Sequence, residues 1–423
     1  MRSSGFSHFR MNAWLHRFTF LTALATLALI GIGGLVTSHG VGMAVPDWPT
    51  SFGYNMFFFP VSKWVGGIRY EHSHRLLASV VGVLVVGLTR WLGGRRSRLP
   101  LAIVGLIEVL AGLALLRLGP DWQGAGHFLG GIGAIVLFAS AIWARNEPAA
   151  TPLPQLGWLA FVLVQVQGLL GGLRVVLLKD ELGIFHATLA QLFFVLLCAI
   201  ALFTSRWWQG ERSRVEGRGP NDGIRSMGGP WFALVGTTTL LIFVQLILGA
   251  TMRHQHAGLA IPDFPLAYGQ VWPAMDAQSV ERYNQHRMEI TAVNPITSFQ
   301  IGLQMAHRMV AVLILVMVAV CAWLSGCRLG WAETFSRLGL AWVALILCQA
   351  FLGAATVWSN KAADLATAHV LVGALSLAMG ALMTILASRG LVLARRSGVA
   401  SERAEALPQT SFEPRRPAAA SLE

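Results

Sequence analysis

A histidine-arginine pair occurs twice in this chain, each time at the head of a long apolar run. The first lies in Glu71-His72-Ser73-His74-Arg75, ahead of Leu76–Leu92, and the second in Gln304-Met305-Ala306-His307-Arg308. Ionisable side chains at the mouth of a membrane helix are costly; they usually face a bundle interior and mark a site. Two further histidines, His186 and His369, sit about one turn inside later apolar runs. Each follows a glutamine-glycine segment: Gln167-Gly168-Leu169-Leu170-Gly171-Gly172 before His186, and Gln349-Ala350-Phe351-Leu352-Gly353-Ala354 before His369. A lone intramembrane histidine is ordinarily a hydrogen-bonding residue between helices. Four at paired repeat positions are hard to explain by packing. Neutral imidazole is a ligand of haem iron, and two histidines from two helices of a four-helix unit can clamp one haem in the bundle core. The simplest count is two haem sites, His74 with His186 and His307 with His369. Arg75 and Arg308, beside these ligands, are placed either to pair with haem propionates or to snorkel to lipid headgroups.

The two halves differ at one telling position. Glu71 lies three residues before His74, on the same helical face; the residue three before His307 is Gln304. A carboxylate in a low-dielectric site can have its pKa raised into the working range for proton transfer. Glutamine keeps the hydrogen bonding and loses the acid-base function. The N-terminal site is therefore expected to do chemistry with Glu71 as its catalytic group, and the C-terminal site to hold a permanent cofactor. The structural alternative is that Glu71 only pairs with Arg75 or Lys63.

The elements that position these residues are membrane helices. Of the 423 residues 55% are hydrophobic and 12% charged, too few charges for a soluble protein, where about 25% is usual. The apolar runs are long enough to cross a bilayer core. Ten spans are expected, near 15–36, 73–92, 100–118, 126–144, 156–177, 184–204, 231–251, 303–325, 336–357 and 366–387. The fold class is an all-α polytopic membrane protein: two pseudo-symmetric four-helix bundles plus an inserted hairpin. The net charge of +12 does not point to nucleic acid, because the basic residues lie between the apolar runs. Their bias towards one set of connections places both termini in the cytoplasm. The expected divisions are an N-terminal segment 1–14, an N-terminal bundle 15–98 with 148–204, a hairpin 99–147, a cytoplasmic linker 205–230, a C-terminal bundle 231–388 and a disordered tail 389–423.

Two long outer loops, 37–72 and 252–302, carry the repeat beyond the helices. Val45-Pro46-Asp47-Trp48-Pro49 matches Ile261-Pro262-Asp263-Phe264-Pro265, with Gly42 matching Gly258 and Gly53 matching Gly269, all at an offset of 216. Segment 99–147 interrupts the two-fold count. It carries Glu108, Gly112 and His127 in the spacing of a degenerate glutamine/glycine–histidine hairpin; the expected reading is a peripheral helix pair with His127 near the outer interface, the alternative a further cofactor-related or partner-docking hairpin. His39, His72, His254, His256 and His286 are expected at the surface of the outer loops, and His8 and His16 at the surface of the N-terminal segment. Cys198, Cys321, Cys327 and Cys348 lie in or at the ends of apolar runs and support neither a disulfide framework nor a thiolate metal site.

The segment Gly33–Thr37, the loop Pro46–Pro49, Glu71–Arg75, Gln167–Gly172, His186, His307-Arg308 and His369 together resemble the heme A synthase family, over about 15–388 apart from the insert. The resemblance implies an eight-helix core and an oxidoreductase that converts heme O to heme A for cytochrome oxidase. A ring methyl becomes a formyl group by successive hydroxylations, with water supplying the oxygen. It further implies that the N-terminal histidine pair binds the substrate haem, that the C-terminal pair binds haem b, and that Glu71 is the essential carboxylate. Heme O synthase and cytochrome oxidase assembly factors are the partners it suggests, with a homo-oligomer compatible and a bacterial plasma membrane as the location. Many members carry a cysteine pair in the first outer loop; here 37–72 has none, so a mechanism that needs a loop thiol is not open to this chain. The other readings of four paired histidines are a dihaem b-type electron carrier and a haem transporter.

Overall fold

Backbone groups in hydrocarbon must bond within their own segment, so long apolar runs become helices. The computed structural model describes residues 13–142, 149, 152–208, 223–286 and 295–405. Its long helices are α1 (Ala13–Ser38), α2 (Gly67–Leu118), α3 (Gln123–Ile142), α4 (Leu153–Leu177), α5 (Asp180–Thr204), α6 (Gly223–His254), α8 (Ser298–Leu329), α9 (Thr334–Trp358) and α10 (Ala363–Glu405). A short helix α7 (Ala277–Gln285) lies in the second outer loop. Nine helices among the described residues are long and apolar enough to cross a bilayer. One of them, α2, has 52 residues. At about 1.5 Å per residue that is too long for one crossing, and Gly94 breaks it with φ 50° and ψ −140°, a conformation glycine adopts without strain. Buried Arg90 closes the break by donating to the Gly94 carbonyl, and Ser97 Oγ donates to the same oxygen at 2.9 Å. The segments on either side, 67–93 (α2a) and 95–118 (α2b), account for two of the ten expected spans.

The helices pack as two closed rings of four. In the N-terminal ring α1 meets α2, α2 meets α4, α4 meets α5 and α5 returns to α1; in the C-terminal ring the same cycle runs through α6, α8, α9 and α10. The rings join where α1 meets α10, α5 meets α6, and α5 meets α10. First helix faces fourth helix in both directions, which is the pattern of a pseudo-two-fold axis. Apolar cores fill the rings, around Leu88, Leu197 and Ile200 in one and Val235, Val318 and Trp342 in the other. Thr19, Thr22 and Thr26 on α1 each return their hydroxyl to the carbonyl four residues back, so none is left unpaired in the membrane.

The inserted hairpin, α2b with α3, is held by glycine-to-glycine contact. A Cβ on Gly105 would meet the Gly133 carbonyl at 2.8 Å, and one on Gly112 the Gly130 nitrogen at 2.6 Å; only bare backbone permits this approach. The hairpin is not peripheral, contrary to the expectation. Phe128 packs on Trp48 at 5.0 Å, Glu108 accepts from Gln165 of α4 at 2.6 Å, and α3 walls the central cavity. The expected linker 205–230 lies partly outside the described residues, as do most of 1–14 and 143–148; 223–230 is already helical. At the other end α10 continues as helix to Glu405 into the segment expected to be disordered, and 406–423 lies outside the described residues.

Candidate functional site

The outer loops repeat in structure as closely as in sequence. Asp47 accepts the backbone N–H groups of Phe52 and Gly53 at 2.7 and 2.8 Å. Asp263 accepts those of Tyr268 and Gly269 at the same distances. Both turns have positive φ at both positions: 52° and 76° in the first loop, 54° and 76° in the second. That is the backbone of a type I′ turn, and glycine is the residue it favours. The proline-bracketed aspartate is thus a staple that folds each loop onto its bundle. Burial raises the Asp47 carboxyl, but hydrogen bonds from Gly53, Thr50 and Phe52 outweigh it and hold the group below its ordinary value.

Each loop is then clasped by the first turns of a histidine helix. Glu71 Oε2 accepts the Val45 N–H at 2.8 Å, and Gln304 Oε1 accepts the equivalent Ile261 N–H at 2.7 Å. Arg75 donates to the carbonyls of Asp47, Thr50 and Val45 at 2.6, 2.8 and 2.9 Å and to Glu71 Oε1 at 2.7 Å. Arg308 donates to the equivalent carbonyls of Asp263 and Leu266 at 2.7 and 2.9 Å. Both terminal nitrogens of Arg75 are therefore engaged by the protein, chiefly by the loop. The expected Glu71–Arg75 pair is present, and Glu71 also faces the cavity.

The four histidines come together as two pairs. The His74 and His186 rings lie 6.5 Å apart between centroids, and those of His307 and His369 lie 6.4 Å apart. In each ring of helices the histidines occupy one diagonal: α2 and α5, or α8 and α10. The other diagonal supplies glycines against the imidazoles. A Cβ on Gly33 of α1 would lie 3.0 Å from His74 Nε2, and on Gly171 of α4 3.3 Å from His186 Cε1. In the second ring Gly249 of α6 would meet His307 at 3.4 Å, and Gly353 of α9 would meet His369 at 3.1 Å. Each imidazole thus stands on a bare stretch of neighbouring helix. His369 Nδ1 lies 3.1 Å from the Gln349 carbonyl and its Nε2 3.4 Å from the Gln349 side-chain amide, so one glutamine fixes the plane of the imidazole. Gln167 donates to the His186 carbonyl at 3.2 Å, so the glutamine-glycine helix and the histidine helix meet in both halves.

One cavity of about 1700 Å³ is lined by all four histidines, larger than the roughly 300–1,000 Å³ of a single small-molecule site. The separation of each pair admits one metal atom at about 2 Å from each imidazole, and the long apolar walls suit a flat macrocycle. The residues present fit two haems.

Some placements were not legible from the residues. Gly33 and Gly249 stand at the same 216 offset as the loop motifs; that offset was the signal that could have found them. His72 is fully buried between Phe59 and Trp64, 3.2 Å from Ser51 Oγ, where a surface position was expected. His254 is also buried, against Gly183 and 4.0 Å from Asp180. His16 Nδ1 meets the Ala201 carbonyl at 3.1 Å. His127 is exposed as expected, yet it also lines the cavity. The four cysteines are all free.

With this geometry stands a match in sequence. The COX15-CtaA family, described as cytochrome oxidase assembly protein, matches residues 126–380, and the chain belongs to that family. It is also 28% identical over 246 residues to the heme A synthase of Symbiobacterium thermophilum, covering 56% of this chain and 70% of that protein. A second relative, the heme A synthase of Shouchella clausii, is 31% identical over 105 residues, 24% of this chain and 34% of its own length. The family match includes His186, His307 and His369. Glu71 and His74 lie before it, and the structural repeat is what ties them to the same architecture.

Proposed function

We propose that the protein is a heme A synthase of a bacterial plasma membrane, with both termini cytoplasmic. It oxidises a ring methyl of heme O to the formyl group of heme A. The substrate porphyrin is held in the N-terminal ring by His74 and His186. Haem b is held in the C-terminal ring by His307 and His369, where it supplies electron transfer. Arg75 and Arg308 hold the outer loops over the two sites. The overall change, R–CH3 + H2O to R–CHO, releases four protons and four electrons. Glu71 is the group that accepts protons or orients water at the methyl: among the described residues lining the cavity it is the one acidic side chain. Its position at the N-terminal pair, against Gln304 at the C-terminal pair, is the observation that carries the assignment of substrate and cofactor sites. The apolar walls and the clasped loop keep bulk water from the reacting carbon.

The test is the haem content of the purified full-length protein. Haem b together with heme A or a hydroxylated heme O is the expected result. Haem b alone in both sites would make the protein a dihaem electron carrier. His307→Met is expected to disturb the resident haem spectrum more than substrate binding, and the reverse would exchange the two sites.

A further inference from the structure

The cavity between the histidine pairs is unbalanced in charge. Among the described residues that line it, Arg75, Arg174, Arg253, Arg308 and Lys361 are basic, against Glu71 alone as an acid. Cations collected in a low-dielectric interior call for an anion beside them. Arg75 and Arg308 have found loop carbonyls. Arg253 of α6 crosses the junction of the rings and donates to the Gly34 carbonyl and Ser38 hydroxyl of α1, leaving its Nε buried without a partner. Arg174 of α4 has Asp180 and Glu71 within electrostatic range but bonds neither. Among the described residues its guanidinium makes no hydrogen bond and its Nε is buried, while its terminal nitrogens lie over Gly42, 3.1–3.2 Å from where a Cβ would be.

In each case the other half is built without the arginine. Aligned on Gly171 and Gly353, Arg174 corresponds to Thr356; at the 216 offset Arg253 corresponds to Thr37. Each half thus carries one arginine that its counterpart lacks. Arg174 lies within electrostatic range of His74 and His186, and Arg253 within range of His369 and of Arg174.

We propose that Arg174 and Arg253 form a paired anion seat at the junction of the two bundles. It takes porphyrin carboxylates, Arg174 serving the N-terminal site and Arg253 the C-terminal one. The assignment rests on the two-haem reading above. Arg75 and Arg308 stay with the loop carbonyls they already bond.

The experiment titrates the full-length apoprotein in detergent with iron protoporphyrin IX and with its dimethyl ester, followed by the haem absorption bands. His74→Ala and His369→Ala assign the two binding phases. Wild type is expected to bind the free acid about tenfold or more tighter than the ester, the equivalent of one charge-assisted hydrogen bond. Arg174→Gln is expected to abolish that preference in the N-terminal phase, and Arg253→Gln in the C-terminal phase. Arg253→Lys, which keeps the charge, is expected to retain part of it. Arg174→Gln removes no bond within the described structure, so loss of folding does not confound it. An unchanged acid-over-ester preference in both glutamine variants overturns the seat. No preference in wild type, with phospholipid phosphate lost on purification of Arg174→Gln, gives the seat to lipid and overturns the proposal as well. Porphyrin binding indifferent to His74→Ala and His369→Ala is a different result: it removes the two-haem reading itself.

Discussion

The N-terminal and C-terminal sites are built on one plan and differ where chemistry would need them to. In both, a histidine helix clasps an aspartate-stapled loop, and in both the loop amide before the first proline is received three residues ahead of the histidine. Glu71 and Gln304 make that bond at 2.8 and 2.7 Å. The amide is therefore enough for the architecture, and the carboxylate is in excess of what the fold requires. Glu71 spends part of that excess on Arg75 at 2.7 Å, so a purely structural account of it remains coherent until the two roles are separated by substitution.

Glu71→Gln separates them, and it carries the largest expected effect. The C-terminal half shows that glutamine can hold the loop, so the variant is expected to fold and to retain both haem sites. Heme A formation should fall by about 10²–10⁴-fold, the usual worth of a positioned proton acceptor. Product formation at the wild-type rate would leave Glu71 as a loop clasp and make the two halves functionally alike in this respect.

The second difference is steric. A Cβ on Gly172 would lie 2.4 Å from the Trp48 ring, whereas the matching positions in the other half are Ala354 and Phe264. The indole rests directly on the α4 backbone and is backed by Phe128 from the hairpin. Gly172→Ala is expected to displace Trp48 and destabilise the N-terminal bundle by about 1–3 kcal/mol, as overpacking does. Thermal unfolding in detergent measures it. A variant as stable as wild type would mean that the loop moves freely over α4.

The imidazole-facing glycines give a finer test. The alanine distances order them Gly33, Gly353, Gly171, Gly249, from 3.0 to 3.4 Å, with one tight and one loose position in each half. Alanine at Gly33 or Gly353 is expected to alter the haem absorption bands, and alanine at Gly249 to leave them near wild type. If the effects divide by half instead, the two sites differ in rigidity in a way the paired geometry does not show.

Much of this plan was legible in the residues. Apolar run lengths gave the helices, the 216 offset gave the repeated loop, and the recurrence of the histidine-arginine pair at an offset of 233 gave the paired histidine helices. The family resemblance then suggested what two histidine pairs hold. Tertiary placement was not legible. His72 and His254 looked like loop histidines because nothing local records that aromatic residues or Gly183 close over them. The hairpin looked peripheral because its contact with the site runs through Phe128 and Trp48, eighty residues apart in the chain. Arg174 carries no motif in the sequence; only the cavity shows that, among the described residues, its guanidinium makes no hydrogen bond.

The smallest expected effect concerns the staples. Asp47 is held below the ordinary carboxylate value of 3.8 by the amides of Phe52 and Gly53 and the Thr50 hydroxyl, against the opposing effect of burial. A depressed folded pKa means that its contribution to loop order is complete above the unfolded value and is lost as pH falls through the folded one. Acid should therefore loosen the first loop only below about pH 3.8, with protection flat from there to neutrality. Hydrogen exchange at the Phe52 and Gly53 amides reads this directly. Asp47→Asn is expected to lower their protection at neutral pH and to erase the acid step. The second loop has a further hold: Tyr268 stacks on Tyr283 of α7 at 3.6 Å and bonds the Ala260 carbonyl. Asp263→Asn should accordingly change exchange at Tyr268 and Gly269 less than Asp47→Asn changes it at their counterparts. Equal loss in both loops would show that the aspartate alone sets their order and that the α7 contact adds nothing.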